Sequence, residues 1–290
     1  MPDVGATARE LAGYGVTGVT DLTPTDDGTT LDALAQIALA PDFPLRVVVT
    51  GGPAVPSSAG AGLPRGPVKL VIGDHRLPAL DELINGFRRT RAVGRTVAVH
   101  CVSRVALVLA LAAWDTVGPT PGDRLEHGAV IPLDQLVRVH ELGLVVVTQP
   151  SFVAERGDHY LAAVDPDDLP GLWRCRSLFD AGIGVAGSTD APFGPANPWH
   201  AMAAAVERRA PSGAIVGPSE RIEPERALAM FLTPPDHPAG APRRIAVGAP
   251  ADVCLLDRPL AKALDDPADT TVVATLGRAG LHQAGRIMMP

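Results

Sequence analysis

The feature that most narrows the fold of this chain is a series of short β-branched runs, several of them apolar on both faces, as in Val145-Val146-Val147. A strand with one face in water alternates apolar and polar residues, whereas one covered on both faces reads as a continuous apolar run. Seven such runs span 16–22, 45–50, 68–72, 96–101, 123–127, 144–149 and 183–190. Helical spacing lies between them at 30–40, 79–91, 104–114, 133–142 and 169–181, and then at 199–209 and 224–231. Strands alternating with helices predict an α/β chain whose parallel sheet is covered by helices. The Gly- and Pro-rich stretch 51–67 reads as a surface loop, and it lacks the Gly-Lys-Ser/Thr ending of a phosphate loop. After Pro234 the pattern changes: 251–257 and 270–276 read as strands with no helix between them. The expected division is a main α/β domain over 1–235 and a small β segment over 236–290.

Composition excludes several partners. The formal charge is −7, with no cluster of cations suited to phosphates, which argues against nucleic acid and anionic membranes. No run approaches the roughly 20 apolar residues of a membrane helix, and residues 1–10 lack the basic and apolar regions of a signal peptide. Three widely spaced cysteines, Cys101, Cys175 and Cys254, fit a reducing interior better than a disulfide framework, so a cytoplasmic location is expected.

Three polar residues fall at the C-terminal ends of predicted strands: His100, His127 and Asp190. In a parallel α/β barrel this rim is where ligands and catalytic groups converge. The blander alternatives are satisfied core histidines and an aspartate that caps the following helix. Lys69 belongs with them, since Pro-Val-Lys-Leu-Val places it within a strand, where a charge needs a partner or a role. Only Lys69 and Lys262 among the 25 basic residues are lysines. A lysine amine can be carbamylated into a metal-bridging carboxylate and an arginine cannot. The alternative for Lys69 is a rim ion pair with Asp74.

The order of these segments carries a resemblance. Val-Lys-Leu, Val-His, Arg-Leu-Glu-His-Gly, Gly-Leu-Val-Val-Val-Thr-Gln-Pro and Gly-Ser-Thr-Asp-Ala-Pro together resemble the amidohydrolase superfamily. The branch most resembled is amidohydrolase family 3, which includes deformylases of N-substituted formamides. The likeness runs over nearly the whole chain, from Gly13 to Asp21 and on to 247–257. It implies a TIM-type (β/α)8 barrel lacking its first strand, with the remnant of a small β-sandwich at the C-terminus. It also implies that Lys69, carbamylated, is a bridging metal ligand, that His100 and His127 hold a second metal, and that Asp190 binds the first metal and acts as general base. Zinc suits this donor set, although other divalent metals share it. Arg104 and Gln149 are the substrate-facing candidates, Gln149 with a loop hydrogen bond as the equal alternative.

The chain departs from the pattern in two places. The family's opening His-x-His pair is absent: none of the eight histidines are two apart. After His100 the chain has Val102-Ser103-Arg104 where the family commonly has Gly-Asp before an Arg. The chain reads as a family member without its beginning, and the open barrel edges leave room for a homo-oligomer. The expected function is metal-dependent hydrolysis of an amide-like C–N bond in a small molecule. The alternative is a truncated, inactive barrel that binds a small molecule or a partner chain.

Overall fold

The computed structural model describes residues 3–24, 27–52, 54–56 and 58–283. From the N-terminus come α1 (Val4–Gly13), β1 (Gly18–Asp21), α2 (Gly28–Ala38), β2 (Arg46–Val49) and β3 (Val68–Val71). There follow α3 (Leu80–Ala92), β4 (Val97–Cys101), α4 (Arg104–Val117), β5 (Arg124–His127) and α5 (Leu133–Glu141). The chain continues with β6 (Val145–Thr148), α6 (Ser151–Ala163), α7 (Arg176–Asp180), β7 (Gly184–Gly187), α8 (Pro198–Glu207) and α9 (Pro224–Phe231). It closes with β8 (Val253–Leu256), α10 (Leu260–Asp265), β9 (Val272–Gly277) and β10 (Gly280–Gln283).

Two compact units result. One gathers the described residues up to Gly66 with Pro234–Asp236 and those from Arg243 onward. In it β1 and β2 pair in parallel, and β8, β9 and β10 form an antiparallel sheet with β9 in the middle. Leu31, Phe43, Leu45, Val47 and Val49 lie at the centre of its apolar core. The Asp27 carboxylate caps α2 by accepting from the Thr30 amide at 2.8 Å.

The second unit is Pro67–Thr233 with His237–Pro242. Its sheet has the order β3-β4-β5-β6-β7, every pair parallel. Each strand neighbours the next in sequence, with no reversal of the kind that splits a doubly wound sheet, so the unit has the winding of a barrel wall. The strands are short and apolar, and Val97, Ala98, Val99, Leu125 and Val146 are fully buried.

All seven expected strands of the α/β part are present, as are both tail strands, and the segment 51–67 holds no helix or ladder strand among its described residues. The helices need correction in four places. The single helix expected over 169–181 is a 3-10 turn at Leu169–Gly171 followed by α7, because Pro170 and Gly171 break it and Trp173 takes a left-handed φ of 51°. α6 follows Pro150 directly and was not expected, although it buries Phe152, Val153 and Gly157 on one side. The tail strands were expected without a helix between them, yet α10 lies there, opened by Pro259. α1, capped by Asp3, was also unforeseen. Among the described residues no helix is long and apolar enough to cross a membrane.

Asp123 anchors the N-terminal edge of the five-stranded sheet. Its buried carboxylate accepts from Val97 N and Trp114 Nε1, each at 2.8 Å, from Thr120 N at 3.0 Å, and from both terminal nitrogens of Arg91. Asp123→Ala would leave the Val97, Thr120 and Trp114 donors unpaired and Arg91 without its counter-ion. Urea unfolding should show a loss of about 3 kcal/mol or more, the scale for removing one partner of a buried ion pair.

Candidate active site

Period two along each strand and the parallel register together decide which side chains meet. Lys69 lies opposite Ala98, and His100 lies opposite Glu126. Lys69, His100 and Glu126 therefore share one face of the sheet. His127 ends β5, and Gln149 and Asp190 follow the C-terminal ends of β6 and β7. His100, His127, Gln149 and Asp190 thus gather at the C-terminal end of one sheet, while Lys69 lies on the same face, level with Ala98 two residues before His100.

The geometry is tightest around His127, which is buried. Its ring stands edge-on to that of His100, with centroids 4.5 Å apart and planes at 72°. Nδ1 lies 2.9 Å from Gln149 Oε1, and the Gln149 amide nitrogen donates to Val147 O at 3.2 Å. With its oxygen so oriented, Gln149 accepts from an Nδ1–H, which leaves the Nε2 lone pair free. Nε2 is buried and has no hydrogen-bond partner among the described residues. The Asp190 carboxylate lies 4.0 Å from Nδ1. Gln149, read from sequence as substrate-facing or as a loop hydrogen bond, is buried and orients a histidine.

Two of these residues sit in strained backbone. His127 has φ 72° and Asp190 φ 51°, left-handed values that non-glycine residues rarely adopt and that persist where surrounding structure over-determines them. His127 is held by Gly128 N donating to Cys101 O at 2.9 Å and Val130 N to Val102 O at 3.1 Å. The turn after Asp190 is closed by Phe193 N donating to Asp190 O at 2.8 Å.

Electrostatics follow from burial. Desolvation pushes His100 down to about 4, helped by the charges of His127 and Lys69. Burial lowers His127 as well. The Asp190 carboxyl is raised, first by desolvation, with Lys69 pulling the other way. Both imidazoles are thus neutral and able to donate lone pairs at neutral pH, while Asp190 is a stronger base than an exposed aspartate. The buried thiols of Cys101 and Cys175 are pushed up to about 12 and stay protonated, which removes them as nucleophiles.

Lys69 is half-buried, and among the described residues no carboxylate lies within ion-pair distance of it. Asp74, its alternative partner, accepts instead from the Ser103 hydroxyl. Arg104 opens α4 and pairs with Asp168, its side chain half exposed. Sequence reasoning missed two neighbours. Glu126 is buried beside His100 and bonded to Arg124 Nε at 2.5 Å. An Arg and a Glu two apart in a buried strand signal one polar face, and that signal was present in the sequence. Arg156 comes from the unforeseen α6, packs 4.4 Å from the Phe152 ring centre and donates to Phe193 O at 2.7 Å.

Three of the proposed donors, His100, His127 and Asp190, are neighbours, yet among the described residues no three His, Cys, Asp or Glu side chains converge into a ready cage for a metal ion. A buried histidine kept neutral destabilises the fold as pH drops, since the unfolded chain binds the proton more readily. His100 stability is complete above about pH 6.5 and is lost as pH falls through its folded value near 4. Chemical denaturation from pH 7 to pH 4 should therefore show a shallower decline for His100→Asn than for the parent; equal slopes would mean that the ring is solvated.

Comparison with known proteins gives the family and the fold. The profile of the amidohydrolase family matches residues 2–278. An N-substituted formamide deformylase of Arthrobacter pascens is 28% identical over 178 residues, 59% of this chain and 33% of that protein. A putative amidohydrolase of Bacillus subtilis is 30% identical over 124 residues, 42% of this chain and 23% of that one. The matched part thus spans a third or less of these curated relatives. Among solved structures, an uncharacterized metal-dependent hydrolase of Pyrococcus furiosus superposes with a TM-score of 0.67 at 24% identity, covering 79% of this chain and 53% of its own. A mutant of the Arthrobacter aurescens atrazine chlorohydrolase, complexed with zinc and atraton, gives 0.60 at 15% identity over 98% of this chain and 73% of its own. These neighbours share the TIM-type barrel fold. The profile match runs almost from end to end, and with it this chain belongs to the amidohydrolase family.

Proposed function

We propose that this chain carries the hydrolytic centre of a metal-dependent amidohydrolase acting on an amide-like C–N bond of a small molecule. One observation carries the reading: His127 presents a buried Nε2 with no partner among the described residues, while Gln149 fixes its other nitrogen, beside a second neutral histidine. A buried nitrogen left unpaired is costly unless something absent from the polypeptide satisfies it, and a hydrogen-bonded Nδ1 is the usual support of a metal-binding imidazole.

The donors fit a divalent cation, with zinc favoured by imidazole nitrogen and carboxylate oxygen. His100 and His127 would hold it, helped by Asp190 or by Lys69 once carbamylated with carbon dioxide. When bound, such a cation supplies positive charge that polarises a carbonyl and acidifies a water molecule. Asp190 does the proton work: its carboxylate takes a proton from the attacking water and returns it to the leaving amine. Lys69 in its ammonium form would attract the carboxylate of Asp190, and as a carbamate it would add a negative ligand. Arg104, exposed beside the site strands, is the substrate contact we propose. The reduced cysteines agree with work in the cytoplasm.

A second reading, a barrel that holds a small molecule or partner chain without turnover, draws support from the lack of three converging metal donors among the described residues. Metal content and turnover separate the two. Elemental analysis of the zinc-supplemented chain should give at most one tightly held zinc, lost in the His100→Ala/His127→Ala double variant; two zincs per chain, or zinc unaffected by that change, would sink the assignment. With an N-substituted formamide as trial substrate, Asp190→Asn should lower kcat by about 10²-fold while zinc stays bound. Lys69→Arg should lose zinc in the presence of bicarbonate, because a guanidinium cannot be carbamylated and stays positive. Equal zinc loading of Lys69→Arg and parent would remove Lys69 from the site.

A further inference from the structure

We propose that Arg208 is a positioning residue for His127, acting through the segment 172–175 that braces the turn after β5. This rests on the reading of His127 as a metal ligand.

Arg208 is fully buried, and among the described residues it has no carboxylate within ion-pair distance. An unpaired guanidinium in the interior is expensive, so its contacts show what it serves. Nε donates to Val216 O at 3.0 Å, Nη1 to Trp173 O at 2.7 Å and Nη2 to Leu172 O at 2.5 Å. A planar fork is thus spread over three carbonyls, two of them consecutive in 172–173. Arg208 itself has a left-handed φ of 56°, and Gly217 passes so close that a Cβ there would lie 3.1 Å from Arg208 Nη2 and 2.9 Å from Pro170 O. The packing leaves the guanidinium one place to sit.

The segment it grips is fastened to the residues that follow His127. Trp173 N donates to Ala129 O at 2.8 Å, Val130 and Leu172 form an antiparallel bridge, and Arg174 Nε donates to Ile131 O at 2.5 Å. The far end is clamped by Glu220, which accepts from Arg174 Nη1 at 2.7 Å and from the amides of Cys175 and Ser177 at 3.1 and 3.0 Å. His127 and Gly128 are consecutive left-handed residues, with φ 72° and 54°. Such a turn holds only where its surroundings leave no alternative. The end of β4 and the residue after it restrain it on one side, through Cys101 O and Val102 O, and the braced segment restrains it on the other. Loosening the brace lets the turn relax toward ordinary φ, and the imidazole then leaves Gln149.

The test reads the ring directly. Histidine-selective ¹⁵N NMR of the full chain at pH 8, without added metal, should show His127 as a single tautomer protonated on Nδ1. In Arg208→Lys, whose ammonium cannot span three carbonyls, His127 should populate both tautomers while His282 is unchanged, and zinc should bind about tenfold more weakly, the scale of losing an outer support of a metal ligand. Far-UV circular dichroism and the melting transition establish that the variant is folded. Should it not fold, Glu220→Gln decides the question, since it weakens the clamp on Arg174 while keeping the shape, and the same tautomer mixing is expected. A folded variant in which His127 keeps one tautomer would overturn the proposal. Tautomer mixing in a chain whose parent binds no zinc would sustain the positioning role and defeat the metal reading instead.

Discussion

A parallel strand covered on both faces must be apolar along most of its length, and this constraint governs the whole second unit. Its backbone is satisfied by neighbours in the ladder, but a polar side chain in its middle has no water to turn to. Polar chemistry is driven to the strand ends or must bring its own partner. Both outcomes occur here. Asp123 at the N-terminal edge collects donors from three elements and works as a rivet, whereas His127, Gln149 and Asp190 occupy the opposite edge. Arg124 and Glu126, the charges inside β5, neutralise each other at 2.5 Å.

The functional edge is bought at a cost in conformation and solvation. His127 and Asp190 hold left-handed backbone, His127 keeps an unpaired buried nitrogen, and burial disfavours the charged forms of both histidines and of Asp190. None of these features stabilises the chain. On the proposed reading they are preorganisation, in which neutral lone pairs and a strengthened base are held by the surrounding structure. The buried Arg208 and the Arg174–Glu220 pair belong to that surrounding structure, which explains why charges lie so deep in a part of the fold away from the strand-end carboxylate.

Much of the architecture was legible because strands of this kind announce themselves: 144–149 is apolar on both faces along most of its length, and 68–72 and 96–101 are short β-branched runs set between helical stretches. Helices were less legible where local chemistry competes. The stretch 169–181 has helical composition, but Pro170 breaks it and the Trp173 amide finds Ala129 O instead of a helical carbonyl. α6 starts directly after Pro150, which serves as the entry to its first turn. α10 is a short helix in a tail whose strands dominate the pattern.

The sequence by itself determined the identity and order of the chemical groups: a lysine within one strand run, and two histidines and an aspartate at the ends of three others. Those positions follow from periodicity, which is local. The role of each group was decided by tertiary structure, because hydrogen bonds and desolvation depend on neighbours far apart in sequence. Gln149 became the partner of a residue 22 positions away, Lys69 was left without the carboxylate that proximity in sequence offered, and Glu126 came to lie beside His100 through parallel register. Burial then set the protonation of the site, since the cost of charge depends on how much water the assembled fold excludes and not on the residues adjacent in the chain.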